Sequence, residues 1–193
     1  RKGFNKAGGD STLSNSNNTP TEYTRKNSNM SVEEYFNRGI ERLNSENYNG
    51  AISDFNNVIR ITPDFVSAYN NRGSSKDNLK DYYGAIRDYT KAIELDPNYV
   101  YAYYNRGNSK DNLKDYYGAI RDYTKAIELN PNYTSAYYNR GNSKDNLKDY
   151  YGAIRDYTKA IELNPNFTSA YLNRGISKDN LKDYYGAISD YTK

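Results

Sequence analysis

The side chains in this sequence that could carry chemistry recur at a fixed interval. Asn-Arg-Gly occurs at residues 37–39 and returns at 71–73, 105–107, 139–141 and 173–175, a spacing of 34 residues each time. An aspartate follows each of these arginines, at Asp54, Asp88, Asp122, Asp156 and Asp190. Charges that recur once per repeat are typical of paired or solvated helix charges rather than of a single catalytic centre.

The composition lacks the residue types on which most enzyme and metal sites depend. The chain has no His and no Cys, so it has no imidazole base, no thiol nucleophile and none of the usual zinc ligands. Ser is plentiful, but no ordinary base is available to activate it. The Lys-Asp-Asn-Leu-Lys-Asp-Tyr-Tyr-Gly segments suggest cation ligands, yet they lack the ligand order and the glycine of a calcium loop. We therefore expect no enzyme activity, no metal and no cofactor in these residues.

The period of 34 residues predicts an array of two-helix units, each too small to bury a core alone. With Val32 as position 1 of the repeat, the complete units are 32–65, 66–99, 100–133 and 134–167. A partial unit covers 168–193.

Local signals place two helices in each unit. In unit 100–133, apolar residues three and four apart predict a first helix from Ala102 to Leu113. Asp115 can cap a second helix, Tyr116–Leu129, which must end before Pro131. Thr134 or Ser135 is then expected to cap the next first helix.

Residues 1–31 differ from the array that follows. They are rich in Asn, Ser, Thr and Gly and have almost no apolar anchor, which predicts a flexible leader. The leader has a formal charge of +3, and the rest of the chain has 22 basic and 22 acidic side chains. Because the sequence opens on Arg1, we interpret it as part of a longer protein.

The charge and hydropathy patterns argue against two classes of partner. A neutral array lacks the positive footprint that nucleic-acid binding requires. No apolar run approaches about 18 residues, so we expect no membrane span. The sequence leaves the compartment open, with the cytoplasm favoured.

Several repeat positions carry the residues typical of a known family. In unit 100–133, positions 4, 8, 20, 24 and 32 are Tyr103, Gly107, Ala119, Tyr123 and Pro131. Across residues 32–193 the pattern resembles the tetratricopeptide repeat. This resemblance implies an all-α fold, a right-handed α-solenoid of antiparallel helix hairpins, in which the first helices line a concave groove.

Two positions depart together from the family pattern. The family usually has Leu at position 7 and a small residue at position 23, where this chain has Arg and Asp. We therefore expect each arginine to pair with the aspartate of its own unit, Arg106 with Asp122 for example; the alternative is two separately solvated charges. Position 11 is Arg42 in the first unit and a lysine in the other four, Lys110 for example, whose stem we expect to pack while its ammonium reaches water.

The clearest indication of a binding surface comes from comparing the repeats with one another. They diverge mainly at positions 2, 5 and 9, which fall on one stripe of the first helix. By the family resemblance that stripe faces the groove. Divergence there favours a diversified binding surface, and drift of an exposed face is the alternative.

Asparagines at positions 6 and 13 add constant amides, which could bind a peptide backbone or could instead tie neighbouring repeats together. The candidate peptide-binding residues are Asn70, Asn71, Ser74, Asn78, Tyr101, Tyr104, Asn105, Asn108, Asn112, Tyr138, Asn139, Asn142, Asn146, Leu172 and Asn173.

We interpret the chain as a protein–protein interaction module that binds an extended peptide or a partner helix. Positions 2 and 5 hold no Lys or Arg, so the charged fork of relatives that clamp a chaperone carboxylate is missing. RNA stacking on Tyr101, Tyr104 and Tyr138 is a third hypothesis, against which the neutral charge argues.

The alternative to a binding module is a structural role. The array could act as a spacer, or it could self-associate end to end through the partial unit 168–193. Leu172 then lies either in the groove or on the surface against which a further repeat would pack.

Overall fold

The chain folds into a series of helical hairpins. The computed structural model describes residues 30–193, so all of the expected leader except Met30 and Ser31 lies outside the described residues. The helices are α1 (Val32–Asn44), α2 (Tyr48–Ile61), α3 (Val66–Asn78), α4 (Tyr82–Leu95), α5 (Val100–Asn112), α6 (Tyr116–Leu129), α7 (Thr134–Asn146), α8 (Tyr150–Leu163), α9 (Thr168–Asn180) and α10 (Tyr184–Tyr191).

Successive helices pair into five antiparallel hairpins, numbered 1 to 5 from α1–α2 to α9–α10. Each hairpin packs against the next, and residues 32–193 form one compact unit. The described residues contain no β-strand. The expected all-α, right-handed solenoid is confirmed.

The second helix of each hairpin begins where the sequence predicts. Tyr116–Leu129 is the predicted helix, and the Asp115 carboxylate accepts a hydrogen bond of 2.9 Å from the Gly118 amide. Asp81, Asp149 and Asp183 cap their helices in the same way. A side-chain acceptor at this position satisfies one of the amides that a helix start leaves without an intrahelical partner.

The first helices start differently from the prediction. Helix α5 begins at Val100, two residues before the predicted start, and ends at Asn112. The predicted cap at Thr134 or Ser135 is wrong, because Thr134 is already the first residue of α7 and the cap position is Tyr133, which makes no side-chain cap bond. The preceding turn is held instead by Asn130, whose side-chain oxygen accepts from the Asn132 amide at 3.1 Å.

Small residues let the two helices of a hairpin approach closely. Ala119 and Ala126 are fully buried, and the ring of Tyr123 is 1 % exposed. A Cβ at Gly107 would lie 2.7 Å from Cε1 of Tyr123, closer than packed carbon atoms approach. Gly at position 8 is therefore required by the aromatic side chain at position 24.

The interface between hairpins is mainly aliphatic and aromatic. Between hairpins 3 and 4, Ala126, Ile127 and Ala136 form a buried cluster. The rings of Tyr104 and Tyr133 pack against that cluster. None of the described helices combines the length and the apolar character that crossing a bilayer requires.

Candidate functional site

The arginine of each hairpin pairs with the aspartate of the same hairpin, which confirms the expected pairing. Arg106 donates to both carboxylate oxygens of Asp122, from Nε at 2.9 Å and from Nη2 at 2.7 Å. The corresponding Nη2–Oδ1 distances in the five hairpins are 2.5–2.7 Å. Each of these aspartates is buried. Two parallel hydrogen bonds hold the guanidinium in one plane with the carboxylate.

The lysine at position 11 makes an ion pair that the sequence analysis did not predict. Lys110 Nζ lies 2.7 Å from Oδ2 of Asp122, and the other lysines at this position contact their aspartates at 2.7–2.8 Å. The Lys110 side chain still keeps 19 % of its surface exposed, so the ion pair adds to the expected position rather than replacing it. The buried carboxylate attracts the ammonium because it has few waters of its own.

The same arginine also contacts the preceding hairpin. Arg106 Nη1 donates to the Thr90 hydroxyl at 3.1 Å, and its guanidinium carbon lies 5.7 Å from the centre of the Tyr103 ring. The Arg106 guanidinium thus donates hydrogen bonds to residues of two hairpins and also lies over the face of an aromatic ring. These charges have partners within the protein, which makes them part of the scaffold.

The asparagine side chains at position 6 form hydrogen bonds between neighbouring hairpins. This is the second of the two roles that the sequence analysis considered for them. Asn139 Nδ2 donates to the hydroxyl of Tyr104 at 3.1 Å and to Oδ1 of Asn108 at 3.0 Å. One repeat further on, Asn173 makes the same two bonds to Tyr138 and Asn142. In the preceding interface, Asn105 donates to Oδ1 of Asn70.

Tyr104 and Tyr138 are partly buried between hairpins. The ring of Tyr104 lies 4.8 Å from that of Tyr133, centre to centre, and the ring of Tyr138 lies 4.7 Å from that of Phe167. Substituting either tyrosine with a small residue would therefore disturb the packing between hairpins, in addition to any effect on ligand binding. Tyr101 differs, because it is 59 % exposed at the surface.

Two cavities open along the first helices. The first cavity, of about 330 Å³, crosses hairpins 2 to 4 and is lined by Asp77, Asn108, Asp111, Asn112, Tyr123, Asn139 and Asn142. The second cavity, of about 350 Å³, crosses hairpins 3 to 5 and is lined by Asp111, Asn142, Asp145, Asn146, Tyr157, Asn173 and Ile176. The two cavities share Asp111 and Asn142 and are therefore adjacent; together we call them the groove below.

Six of the candidate residues line the groove: Asn108, Asn112, Asn139, Asn142, Asn146 and Asn173. Leu172 lies elsewhere, in a cavity of about 240 Å³ at hairpin 5 with Tyr171 and Tyr191. Asn70, Asn71, Ser74, Asn78, Tyr101, Tyr104, Asn105 and Tyr138 line neither half of the groove.

Sequence reasoning missed the aspartates at position 12. Asp77, Asp111 and Asp145 line the groove, three residues after position 9 and thus on the same helix stripe. That spacing was the signal that could have identified them. Each carboxylate accepts a hydrogen bond of 2.5–2.6 Å from a buried serine of the next hairpin, which is Ser109, Ser143 and Ser177 respectively.

Burial affects the ionisation of the groove. It raises the pKa of Asp77 and of Asp111, and the serine hydrogen bond opposes that effect. Burial also raises the pKa of the Tyr123 hydroxyl, and the nearby charge of Asp111 adds to this shift. The groove lining therefore combines aspartate carboxyl groups, asparagine amides and phenol hydroxyls, and the lining contains no lysine or arginine.

Comparison with known proteins places this arrangement in a family. The tetratricopeptide repeat profile matches residues 66–99, 100–133 and 134–167. None of the curated proteins is significantly similar in sequence.

Among solved structures, a crystal structure of MamA is 26% identical, with a TM-score of 0.76 over 80% of this chain and 90% of that chain. A MamA chain from Desulfovibrio magneticus RS-1 is 22% identical, with a TM-score of 0.78 over 83% and 91%. YrrB, described as a TPR protein with an unusual peptide-binding site, is 19% identical, with a TM-score of 0.72 over 88% and 87%. At these last two identities the likeness shows the fold alone.

Proposed function

Because this chain belongs to the tetratricopeptide repeat family, a family of protein-interaction scaffolds, we propose that its groove binds an extended peptide of a partner protein. The observation that supports the proposal is the pair of adjacent open cavities, whose lining residues come from four successive hairpins. An extended segment can lie along such a row of cavities, whereas a compact small molecule needs an enclosed pocket.

The chemistry of the groove supports a peptide rather than a nucleic acid. Asn112 and Asn146 are exposed in its lining, and their amides can both donate to and accept from a peptide backbone. The carboxylates of Asp77, Asp111 and Asp145 would repel phosphates.

A peptide-display selection on the purified protein, followed by binding to groove variants, tests this proposal. Asn112→Trp and Asn146→Trp would fill the two cavities without changing charge. We expect both to weaken binding of the selected peptides. Tyr117→Ala is the control, because Tyr117 is 68 % exposed and lies outside the groove lining. If every selected peptide bound Asn112→Trp and Asn146→Trp as well as the original protein, the groove would not be the binding site.

End-to-end self-association is a second candidate function. Its support is the apolar surface of hairpin 5, where Leu172 is 51 % exposed, Ile188 is 60 % exposed and Tyr191 lines the cavity beside Leu172. Self-association through this surface predicts a sedimentation coefficient that rises with protein concentration, and Leu172→Lys should abolish that rise. A constant monomer across the concentration range would exclude this function.

A further inference from the structure

The two halves of the groove are copies of one subsite. Moving each residue of the first cavity forward by one repeat gives the corresponding residue of the second cavity: Asp111 becomes Asp145, and Tyr123 becomes Tyr157. One lining position differs, where Asn142 in the first cavity corresponds to Ile176 in the second. A ligand that suits one half therefore meets nearly the same chemistry in the other half.

Each subsite holds two carboxylates that have no cationic partner among residues 30–193. None of the ion pairs between described residues includes Asp77, Asp111 or Asp145. By contrast, Asp122 has both Arg106 and Lys110 within 2.7 Å. The repeat thus contains one aspartate that the protein neutralises and another that it leaves facing the groove.

Each serine binds one oxygen of a groove carboxylate. Ser143 donates to Oδ1 of Asp111 at 2.5 Å, and none of the hydrogen bonds between described side chains uses Oδ2. A partly buried carboxylate has lost some of its water, and a cation from outside would restore the lost interaction. An acidic ligand would instead be repelled by Asp77, Asp111 and Asp145.

We infer that the groove recognises an extended protein segment bearing two lysine or arginine side chains, one bound in each subsite. This inference rests on the proposed function and specifies the partner's chemistry. Neighbouring packed helices lie on the order of 10 Å apart. An extended chain advances about 3.3 Å per residue, so the two basic residues should be about three positions apart.

Binding of synthetic peptides measures this specificity. The basic probe is a Ser/Asn-rich peptide with two lysines three residues apart. The matched probes replace both lysines with Gln, or one of them with Gln. We expect the two-lysine peptide to bind about tenfold or more tightly than the Gln peptide, since hydrogen bonds to charged groups are stronger than neutral ones. The difference should shrink as salt is added.

Isosteric variants of the groove give a graded test. Asp111→Asn removes a carboxylate from both subsites, whereas Asp77→Asn and Asp145→Asn each affect one subsite. We expect Asp111→Asn to weaken the two-lysine peptide more than either of the other changes. Glu128→Gln is the control, because it removes the same charge at an exposed site outside the groove.

The outcomes separate this inference from the proposed function. If the Gln and Lys peptides bind equally, Asn112→Trp weakens both and Asp111→Asn has no effect, the groove binds peptides but the inferred preference for basic side chains is wrong. If Asn112→Trp has no effect on any peptide, the proposed function itself fails. Equal weakening by Glu128→Gln and Asp111→Asn would show a long-range charge effect and would also overturn the inference.

Discussion

At the scale of single residues, two aspartates of the same hairpin have opposite roles. Asp122 is 4 % exposed and bonds to Arg106 and Lys110, so it joins the two helices of its hairpin. The carboxylate of Asp111 accepts only a serine hydroxyl among the hydrogen bonds of the described residues, and it lines the groove. Changes at Asp122 should therefore act on stability, whereas changes at Asp111 should act on binding in addition to its bond with Ser143.

Asp122→Ala should destabilise the protein by about 3 kcal/mol, because it leaves two cations partly buried without their partner. The double variant Arg106→Met/Asp122→Ala should recover part of this loss. Urea unfolding followed by circular dichroism gives both values. Glu128→Ala is the control, since its exposed pair with Lys125 should contribute no more than about 0.5 kcal/mol. Equal losses for the single and double variants would contradict the argument.

Gly107→Ala tests the close approach of the two helices. Its Cβ would collide with Tyr123, which is 1 % exposed and cannot move aside, so we expect a loss of about 2 kcal/mol. Gly175→Ala meets the equivalent ring of Tyr191, which is 48 % exposed and can shift. Thermal unfolding should therefore show the larger loss for Gly107→Ala. A larger loss for Gly175→Ala would refute the steric explanation.

At the scale of helices, the turn inside each hairpin is the same strained structure. Lys114 has φ of 61°, and Lys80, Lys148 and Lys182 have nearly the same value. A left-handed backbone costs a residue with a Cβ about 1 kcal/mol, and glycine avoids most of this cost. The amides on either side of the turn still bond back to α5, from Lys114 to Asp111 and from Asp115 to Lys110. The hydrogen bonds of the turn thus hold lysine in a conformation it disfavours.

Lys114→Gly should raise the free energy of unfolding by about 1 kcal/mol, because glycine adopts the left-handed conformation without strain. The matched control is Lys125→Gly, inside α6, where glycine should lower that free energy by about 1 kcal/mol. Denaturant titration distinguishes the signs. A loss of stability in Lys114→Gly would mean that the lysine side chain stabilises the turn by an interaction larger than the strain.

At the scale of the whole array, corresponding contacts recur at successive interfaces. Arg140 donates to Thr124 at 3.0 Å, and Arg174 donates to Thr158 at the same distance. Ser143 and Ser177 likewise bond to the aspartates one hairpin earlier. Because each hairpin contacts only its neighbours, stability should be a sum of hairpin and interface contributions.

Deleting residues 134–167 should leave a folded, shorter array. The new junction places Thr168 after Tyr133, and Arg174 would then meet Thr124 in place of Thr158. We expect an unchanged helical fraction by circular dichroism and a lower unfolding midpoint in urea. Deleting residues 116–132 is the control. This deletion removes only α6, so that α5 is followed directly by α7 and the hairpin loses its second helix. Equal helicity and cooperativity in both deletions would contradict a hairpin-by-hairpin assembly.

The sequence alone determined the elements of the fold, because those depend on local patterns. The period of 34 residues, the cap at Asp115 and the pairing of Arg106 with Asp122 were all predictable from residue types at fixed spacing. The start of α7 was not, because the turn before it uses the Asn130 side chain rather than a cap at Thr134.

Only the tertiary structure decided which side chains meet between hairpins. The rings of Tyr104 and Tyr138 turn into the packing between hairpins, Lys110 turns to Asp122, and the aspartates of position 12 line the groove. The physical reason is that the helical pattern places a residue on a stripe, while the offset of each hairpin against the next determines what that stripe contacts.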